Sequence, residues 1–154
     1  MYTSHSRILT SHIGSLPRPP DVLARIYQHQ EGIPFDESYW NLVKEGVNEM
    51  VGLQKSAGID IVSDGEVGKV GFNNYISERV TGLGGETVMW SFKDLEIVPE
   101  VQDRQYQSEG GKHINMPACV GEINYTGQNF ITRDLANFRQ ALDTHQVEKA
   151  FVPS

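Results

Sequence analysis

The apolar residues in the first half of the chain follow two different spacings. Between Asp36 and Gly58 they recur every three or four positions, which is typical of a helix with one buried face. Asp36 is a favourable N-terminal cap, and glycine commonly follows a helix end. The β-branched run at residues 59–62 then predicts a buried strand. The apolar face of the predicted helix consists of Tyr39, Leu42, Val43, Val47, Met50, Val51 and Leu53.

A strand and a rigid loop are predicted at the beginning of the chain. Residues 7–13 predict a strand with Ile8, Leu9 and Ile13 on its apolar side. The prolines within residues 14–20 prevent a strand or a helix from continuing, so that this stretch is expected to be a rigid loop.

A short helix is predicted next, over residues 22–30, with Asp21 as its cap and Gly32 after its end. The resulting order of strand, helix, helix and strand implies two parallel strands joined by a crossover connection. Parallel strands bring their carboxyl ends to one edge, which is where the ligands of α/β proteins usually bind.

The pattern is irregular over residues 67–112. Within this stretch we predict a short helix over 72–80, a flexible glycine loop over 82–85, and a hairpin formed by 89–92 and 95–98. The spacing of the loop glycines matches neither of the phosphate-binding motifs. We interpret the stretch as an insertion in a more regular domain.

Regular elements return near the C-terminal end. Residues 118–123 predict a third strand, residues 132–142 a helix, and residues 149–152 the start of a fourth strand. The inner face of this helix is expected to contain Leu135, Phe138 and Leu142.

Repeated strand and helix units with apolar strands predict an α/β fold, namely the first half of a (β/α)8 TIM barrel with about four parallel strands. A complete barrel needs about 250 residues, whereas this chain has 154. An open half barrel would expose two strand edges and an apolar face. We therefore expect residues 1–154 to form one partial barrel domain, either self-associated or completed by a missing C-terminal half.

Composition excludes several classes of protein. A net charge of -7 and a pI near 5.1 disfavour nucleic acid as a partner, because phosphate binding needs a clustered basic face. No apolar run is long enough to span a membrane, and residues 1–10 lack the apolar core of a signal peptide. The single cysteine, Cys119, cannot form an internal disulfide, which agrees with a reducing compartment. We therefore expect a cytoplasmic protein.

Two carboxylates follow the predicted strand at 59–62. Asp64 and Glu66 would lie at its carboxyl end, where they could contact a ligand. The alternative is that Asp64 and Gly65 form a turn and that Glu66 is a solvated charge, because Asp-Gly is a strong turn signal. The local sequence does not separate these two interpretations.

The sequence also resembles a known enzyme family. The residues that carry the resemblance are the stretch 12–19, Gln54 with the stretch 58–66, and Tyr75, Glu78 and Gly82. They are similar to the catalytic barrel of cobalamin-independent methionine synthase, and more closely to the single-barrel methionine synthase-like proteins. The resemblance covers essentially the whole chain, which corresponds to the N-terminal half of that barrel.

This resemblance implies a binding site for the amino acid part of homocysteine. In the family, an Ile-Gly-Ser loop and a glutamate bind this group, and the matching residues here are Ile13, Gly14, Ser15 and Glu66. Backbone N–H groups and a hydroxyl can hold the carboxylate, while an ionised glutamate can hold the ammonium group. Arg18 is instead expected to make a surface or interloop salt bridge.

The resemblance further implies a methyl-folate donor, with Asp64, Lys112 and His113 shaping the donor side. Two departures from the family leave the donor open. The family has a histidine in place of Asp64, and it has an Arg-Cys pair at the positions of Lys112 and His113. Lysine keeps the positive charge of arginine but lacks its planar fork.

Zinc is also implied by the resemblance, since it holds the homocysteine sulfur as a thiolate. The family ligands, a His-x-Cys pair and a distant cysteine, lie in the second half of the barrel. This chain has no His-x-Cys pair, and no two of its 5 histidines have a recognised zinc spacing. We therefore expect no metal site within residues 1–154, and we expect Cys119 to be a small buried core residue.

These observations lead to one main hypothesis and two alternatives. The main hypothesis is the N-terminal part of a zinc-dependent methyltransferase that moves a methyl group to a thiol, namely homocysteine, to give methionine. One alternative is a non-catalytic half barrel that binds an amino acid or serves in assembly. The other is an S-alkyltransferase for another thiol such as coenzyme M, whose sulfonate would need a cation such as Arg18 near Ser15.

Overall fold

The computed structural model describes residues 4, 6–69, 71, 75–85, 93–108 and 117–153. The chain forms two compact units. The first contains Met1–Lys69 and Asn129–Ser154, and the second contains Val70–Gln128. Within the described ranges, no helix is long and apolar enough to cross a membrane.

The first helix, α1, spans Pro20–Gln30. Pro19 occupies its cap position and no side chain caps the helix, so that the predicted capping by Asp21 is wrong. Asp21 lies in the first turn instead, because a proline at the first helical position already has a suitable backbone angle. The predicted end is confirmed, since Gly32 follows the helix with a φ of +95°, a left-handed value that glycine adopts easily.

The second helix, α2, spans Glu37–Ser56 and largely agrees with its prediction. The Asp36 carboxylate caps it by accepting a hydrogen bond of 3.0 Å from the Tyr39 N–H. One predicted core residue is wrong, because Leu53 is 52% exposed and Gln54 is buried beside it. The buried residues of α2 are Tyr39, Val43, Gly46, Val47, Met50, Val51 and Gln54.

The predicted strands of the first unit are extended segments joined by isolated bridges. Ser11 pairs in parallel with Ile61, and Val62 pairs in parallel with Ala150. The segment 59–62 therefore lies between the other two segments. The predicted parallel arrangement is confirmed at these positions.

The first of these segments lacks the apolar side that the pattern predicts. Ile8 is 90% exposed and Ile13 is 79% exposed, so that their predicted burial is wrong. The segment pairs with its neighbour through the bridge at Ser11, and a single bridge buries little side-chain surface.

The last helix, α5, spans Gln128–His145 and is longer than predicted at both ends. Phe138 is buried as predicted, whereas Leu135 is 48% exposed and its predicted inner position is wrong. The helix packs on α2, where the His145 ring occupies the space that a side chain at Gly52 would fill. The buried hydrophobic residues of the unit are Val22, Ile26, Tyr39, Val43, Val47, Met50, Val51, Val62, Val67, Phe138 and Ala141.

The second unit is built from short elements. A 3-10 helix spans Tyr75–Glu78 inside the predicted helix 72–80, whose residues 72–74 lie outside the described ranges. The two strands pair antiparallel, with Leu83 opposite Cys119. The remaining elements are β1 (Leu83–Gly84), α3 (Lys93–Glu96), α4 (Pro99–Ser108) and β2 (Ala118–Cys119).

Two predictions for the irregular stretch are wrong. The expected flexible loop at 82–85 contains β1, because a glycine at position 82 lets the backbone approach the Glu122 carbonyl without a Cβ clash. The expected hairpin strand at 95–98 contains the end of α3 instead. Its expected partner, at 89–92, lies outside the described residues.

The predicted third parallel strand at 118–123 is also wrong. Only its first two residues form a strand, β2, and this strand is antiparallel to β1 and exposed. Cys119 is exposed rather than buried in a core, and Val120 is 64% exposed. The apolar run therefore packs at the surface of the second unit.

Candidate functional site

Two loops of the first unit meet at the carboxyl ends of its first two extended segments. The Ser15 hydroxyl donates a hydrogen bond of 2.8 Å to Oε2 of Glu66. The Leu16 N–H donates to the Gly65 carbonyl at 3.0 Å. The structure thus places Ser15 and Glu66 in direct contact, while their role in binding stays a prediction.

A tight turn presents Glu66 to the first loop. Oδ1 of Asp64 accepts a hydrogen bond of 3.0 Å from the Glu66 N–H, and the Ser63 hydroxyl accepts one of 3.3 Å from the Gly65 N–H. Glu66 has a φ of +55°, which is uncommon for a residue with a side chain. The predicted Asp-Gly turn is therefore confirmed, and Glu66 is held by specific bonds rather than freely solvated.

Gln54 anchors the segment that leads into this turn. Its Nε2 donates to the Ser63 carbonyl at 2.8 Å and to the Met50 carbonyl at 3.1 Å. Its Oε1 accepts from the Ser63 N–H at 2.9 Å. This supporting role was not predicted from the sequence, although a polar residue on the buried face of α2 is a signal that could have indicated it.

Asp64 is buried, with 9% of its surface exposed. Burial raises the pKa of Asp64, and the hydrogen bond from the Glu66 N–H opposes this effect. Asp64 thus supports the turn from the side of α2 and α5, and its predicted contact with a methyl donor stays a prediction. The other residues around the small cavity that it lines are Val43, Val47, Gly68, Lys69, Asp134 and Asn137.

Arg18 lies half-buried between the two loops. Its Nη2 donates to the Lys69 carbonyl at 2.5 Å, to the Ser15 hydroxyl at 3.3 Å and to the Glu66 carbonyl at 3.4 Å. Burial lowers the pKa of Arg18, but arginine stays protonated at neutral pH. The predicted salt bridge of Arg18 is therefore wrong among the described residues, since its guanidinium joins the two loops through a hydroxyl and backbone carbonyls instead.

The remaining predicted binding residues lie beside Ser15. Gly14 has a φ of +92° and open space on the side where a Cβ would project. Nε2 of His12 lies 3.1 Å from the Gly14 carbonyl and helps to shape this turn. Ile13 is 79% exposed.

The predicted donor-side residues Lys112 and His113 lie outside the described residues. In the part of the chain that the structure does describe, no group of three or more histidine, cysteine, aspartate or glutamate side chains could hold a metal ion. Cys119, in the second unit, contacts the Gly121 carbonyl through its Sγ at 3.6 Å.

Comparison with known proteins finds relatives named as homocysteine methyltransferases. A homocysteine methyltransferase named 5-methyltetrahydropteroyltriglutamate--homocysteine methyltransferase from Thermotoga maritima is 26% identical over 81 residues, which cover 53% of this chain and 11% of the relative. A protein of the same name from Bacillus cytotoxicus is 22% identical over 116 residues, which cover 75% of this chain and 13% of the relative. The chain thus matches only a small part of each relative's length.

The family model described as cobalamin-independent synthase, catalytic domain, matches residues 8–96. This range includes both loops of the candidate site as well as Gln54 and Arg18. It also covers more than half of the 154 residues. The chain therefore belongs to the catalytic-domain family of the cobalamin-independent synthases.

Proposed function

We propose that this chain supplies the amino-acid-binding part of a methyltransferase whose acceptor thiol is homocysteine. The observation that carries this proposal is the contact between Ser15 and Glu66, at the carboxyl ends of two parallel segments. Ligands of α/β proteins gather at such an edge. The relatives' name, which contains homocysteine methyltransferase, supports the choice of acceptor.

The two side chains have complementary tasks in this proposal. Glu66 accepts hydrogen bonds from the α-ammonium group, while the Ser15 hydroxyl and the backbone N–H at Gly14 donate to the α-carboxylate. The Ser15 hydroxyl donates to Glu66 in the structure, and it would turn to the ligand carboxylate on binding. Both ends of the amino acid would then be fixed, which leaves the sulfur to face the methyl donor.

The parallel segments and α2 support a (β/α)8 barrel as the setting of this site. Such a barrel is closed by eight strands, so that further strands are required beside the paired segments. We propose a methyl-folate as donor, following the resemblance and the relatives' name. The described residues do not fit a zinc site, and the proposed role of Ser15 and Glu66 is to bind and orient the amino acid.

Titration calorimetry with L-homocysteine tests the proposal on the wild-type protein and on Glu66→Gln. Because a hydrogen bond to a charged group contributes about 1.5–3 kcal/mol, the variant should bind about 10-fold or more weakly. Glu49→Gln is the matched control, since Glu49 is exposed on α2 and should leave the affinity unchanged.

A second ligand identifies the group that Glu66 binds. 4-Mercaptobutanoate is homocysteine without its amine, so it should bind weakly and with equal affinity to the wild-type protein and to Glu66→Gln. Absence of homocysteine binding by the wild-type protein, or an unchanged affinity in Glu66→Gln, would refute the proposal. A preference for 2-mercaptoethanesulfonate over homocysteine would refute the choice of acceptor.

A further inference from the structure

Arg18 connects the two loops of the candidate site through a single nitrogen atom. Nη2 contacts the Ser15 hydroxyl on one loop and the carbonyls of Glu66 and Lys69 on the other. The same guanidinium therefore touches one of the two proposed ligand-binding side chains and the backbone that carries the second. The position of Arg18 therefore links the position of the Ser15 hydroxyl to that of the Glu66 carboxylate.

The contact that Arg18 makes between the two loops carries an energetic cost that a purely structural contact would not need. The Arg18 side chain is half-buried, and its Nε is buried without a hydrogen-bond partner. A buried donor without a partner destabilises a fold, and so does a charge that is partly removed from water. A neutral amide could bridge two loops with less desolvation, which indicates that the positive charge of Arg18 serves the site itself.

We propose that Arg18 is a positioning residue that sets the separation of the Ser15 hydroxyl and the Glu66 carboxylate, and that it thereby restricts the site to α-amino acids. This inference rests on the proposed function. The ammonium and carboxylate groups of an α-amino acid share one carbon atom, so their separation is nearly constant. Two protein groups can hold both only if their own separation is also fixed.

The test measures homocysteine affinity by calorimetry for Arg18→Gln and Arg18→Lys, each alone and combined with Glu66→Gln. Arg18→Gln should weaken binding about 10-fold or more, and Arg18→Lys should recover part of this loss because it keeps the charge. In the Glu66→Gln background the same replacements should change the affinity less than about 2-fold, since the coupled partner is already removed. Arg139→Ala, at an exposed position on α5, is the matched control.

Several outcomes would overturn the inference. Unchanged homocysteine affinity in both Arg18 variants would overturn it. An equal loss of affinity on Arg18 replacement in the wild-type and Glu66→Gln backgrounds would also overturn it. A merely structural role would lower the urea midpoint and weaken homocysteine and 4-mercaptobutanoate equally, which would also overturn it. If Glu66→Gln alone leaves the homocysteine affinity unchanged, the proposed function is refuted. If Glu66→Gln weakens homocysteine binding but the Arg18 variants do not, only the inference about Arg18 is refuted.

Discussion

Replacement of Gln54 by leucine tests how the second loop is held in place. The Gln54 side chain is 4% exposed and satisfies both backbone groups of Ser63, which is itself fully buried. Leucine has a similar volume, so that the change leaves the packing of α2 nearly intact. It removes the hydrogen-bond partners of one N–H and one carbonyl, and the burial of Ser63 keeps water from replacing them.

The size of the effect follows from these two groups. Each buried backbone group that loses its partner costs about 1–3 kcal/mol, so that the variant should lose about 2–6 kcal/mol of unfolding free energy. Small domains have a total stability of about 5–15 kcal/mol. With a urea dependence of about 2 kcal/mol per molar, in the middle of the usual range, the unfolding midpoint should fall by about 1–3 M.

Urea unfolding followed by far-ultraviolet circular dichroism measures this change. Hydrogen exchange of the Ser63 amide should also become faster in the variant, because this amide loses its acceptor. Gln140→Leu, at an exposed position on α5, is the matched control and should change the unfolding free energy by less than about 0.5 kcal/mol. Equal midpoints for the two variants would refute the argument that Gln54 anchors the turn.

Two further predictions concern the buried carboxylate of Asp64 and the positive φ of Gly82. Burial raises the pKa of Asp64 in the folded protein above its ordinary value of 3.8. The unfolding free energy therefore falls as the pH rises from 3.8 to the raised pKa, because the unfolded chain loses this proton more readily. Asp64→Asn should therefore raise the urea midpoint at pH 7, with a gain that shrinks below about pH 4; a gain that does not change with pH would contradict this. Gly82→Ala should destabilise the second unit by about 1–3 kcal/mol, because Gly82 has a φ of +79° and a Cβ there would collide with the Glu122 carbonyl. Amide exchange of Val120, which donates to the Gly82 carbonyl, measures the loss. A loss of the same size in Gly121→Ala, where a Cβ would meet the Gly82 Cα at an ordinary contact distance of 3.8 Å, would contradict this cause.

The local signals that the sequence carries strongly were reliable in the first unit. Asp36 and Gly58 mark the two ends of α2 as predicted, because capping and a left-handed φ depend on only a few neighbouring residues. The apolar spacing of this helix also predicted most of its buried face. Leu53 on α2 and Leu135 on α5 were the exceptions, because the width of a buried stripe depends on which neighbour covers it.

The sequence was weaker for interactions between distant residues. The short strand at Ala118–Cys119 depends on pairing with β1, and the pattern of apolar residues did not indicate that partner. The exposure of Ile8 and Cys119 has the same origin, since burial is set by the surrounding elements and not by side-chain type alone.

The candidate site shows the same division. The sequence by itself determined that Ser15 and Glu66 follow two parallel segments, because parallel pairing brings their carboxyl ends to one edge. Only the tertiary structure decided that Gln54 holds the turn and that Arg18 joins the loops. Such contacts depend on the distance and direction between side chains from separate elements, and neither quantity is encoded in local spacing.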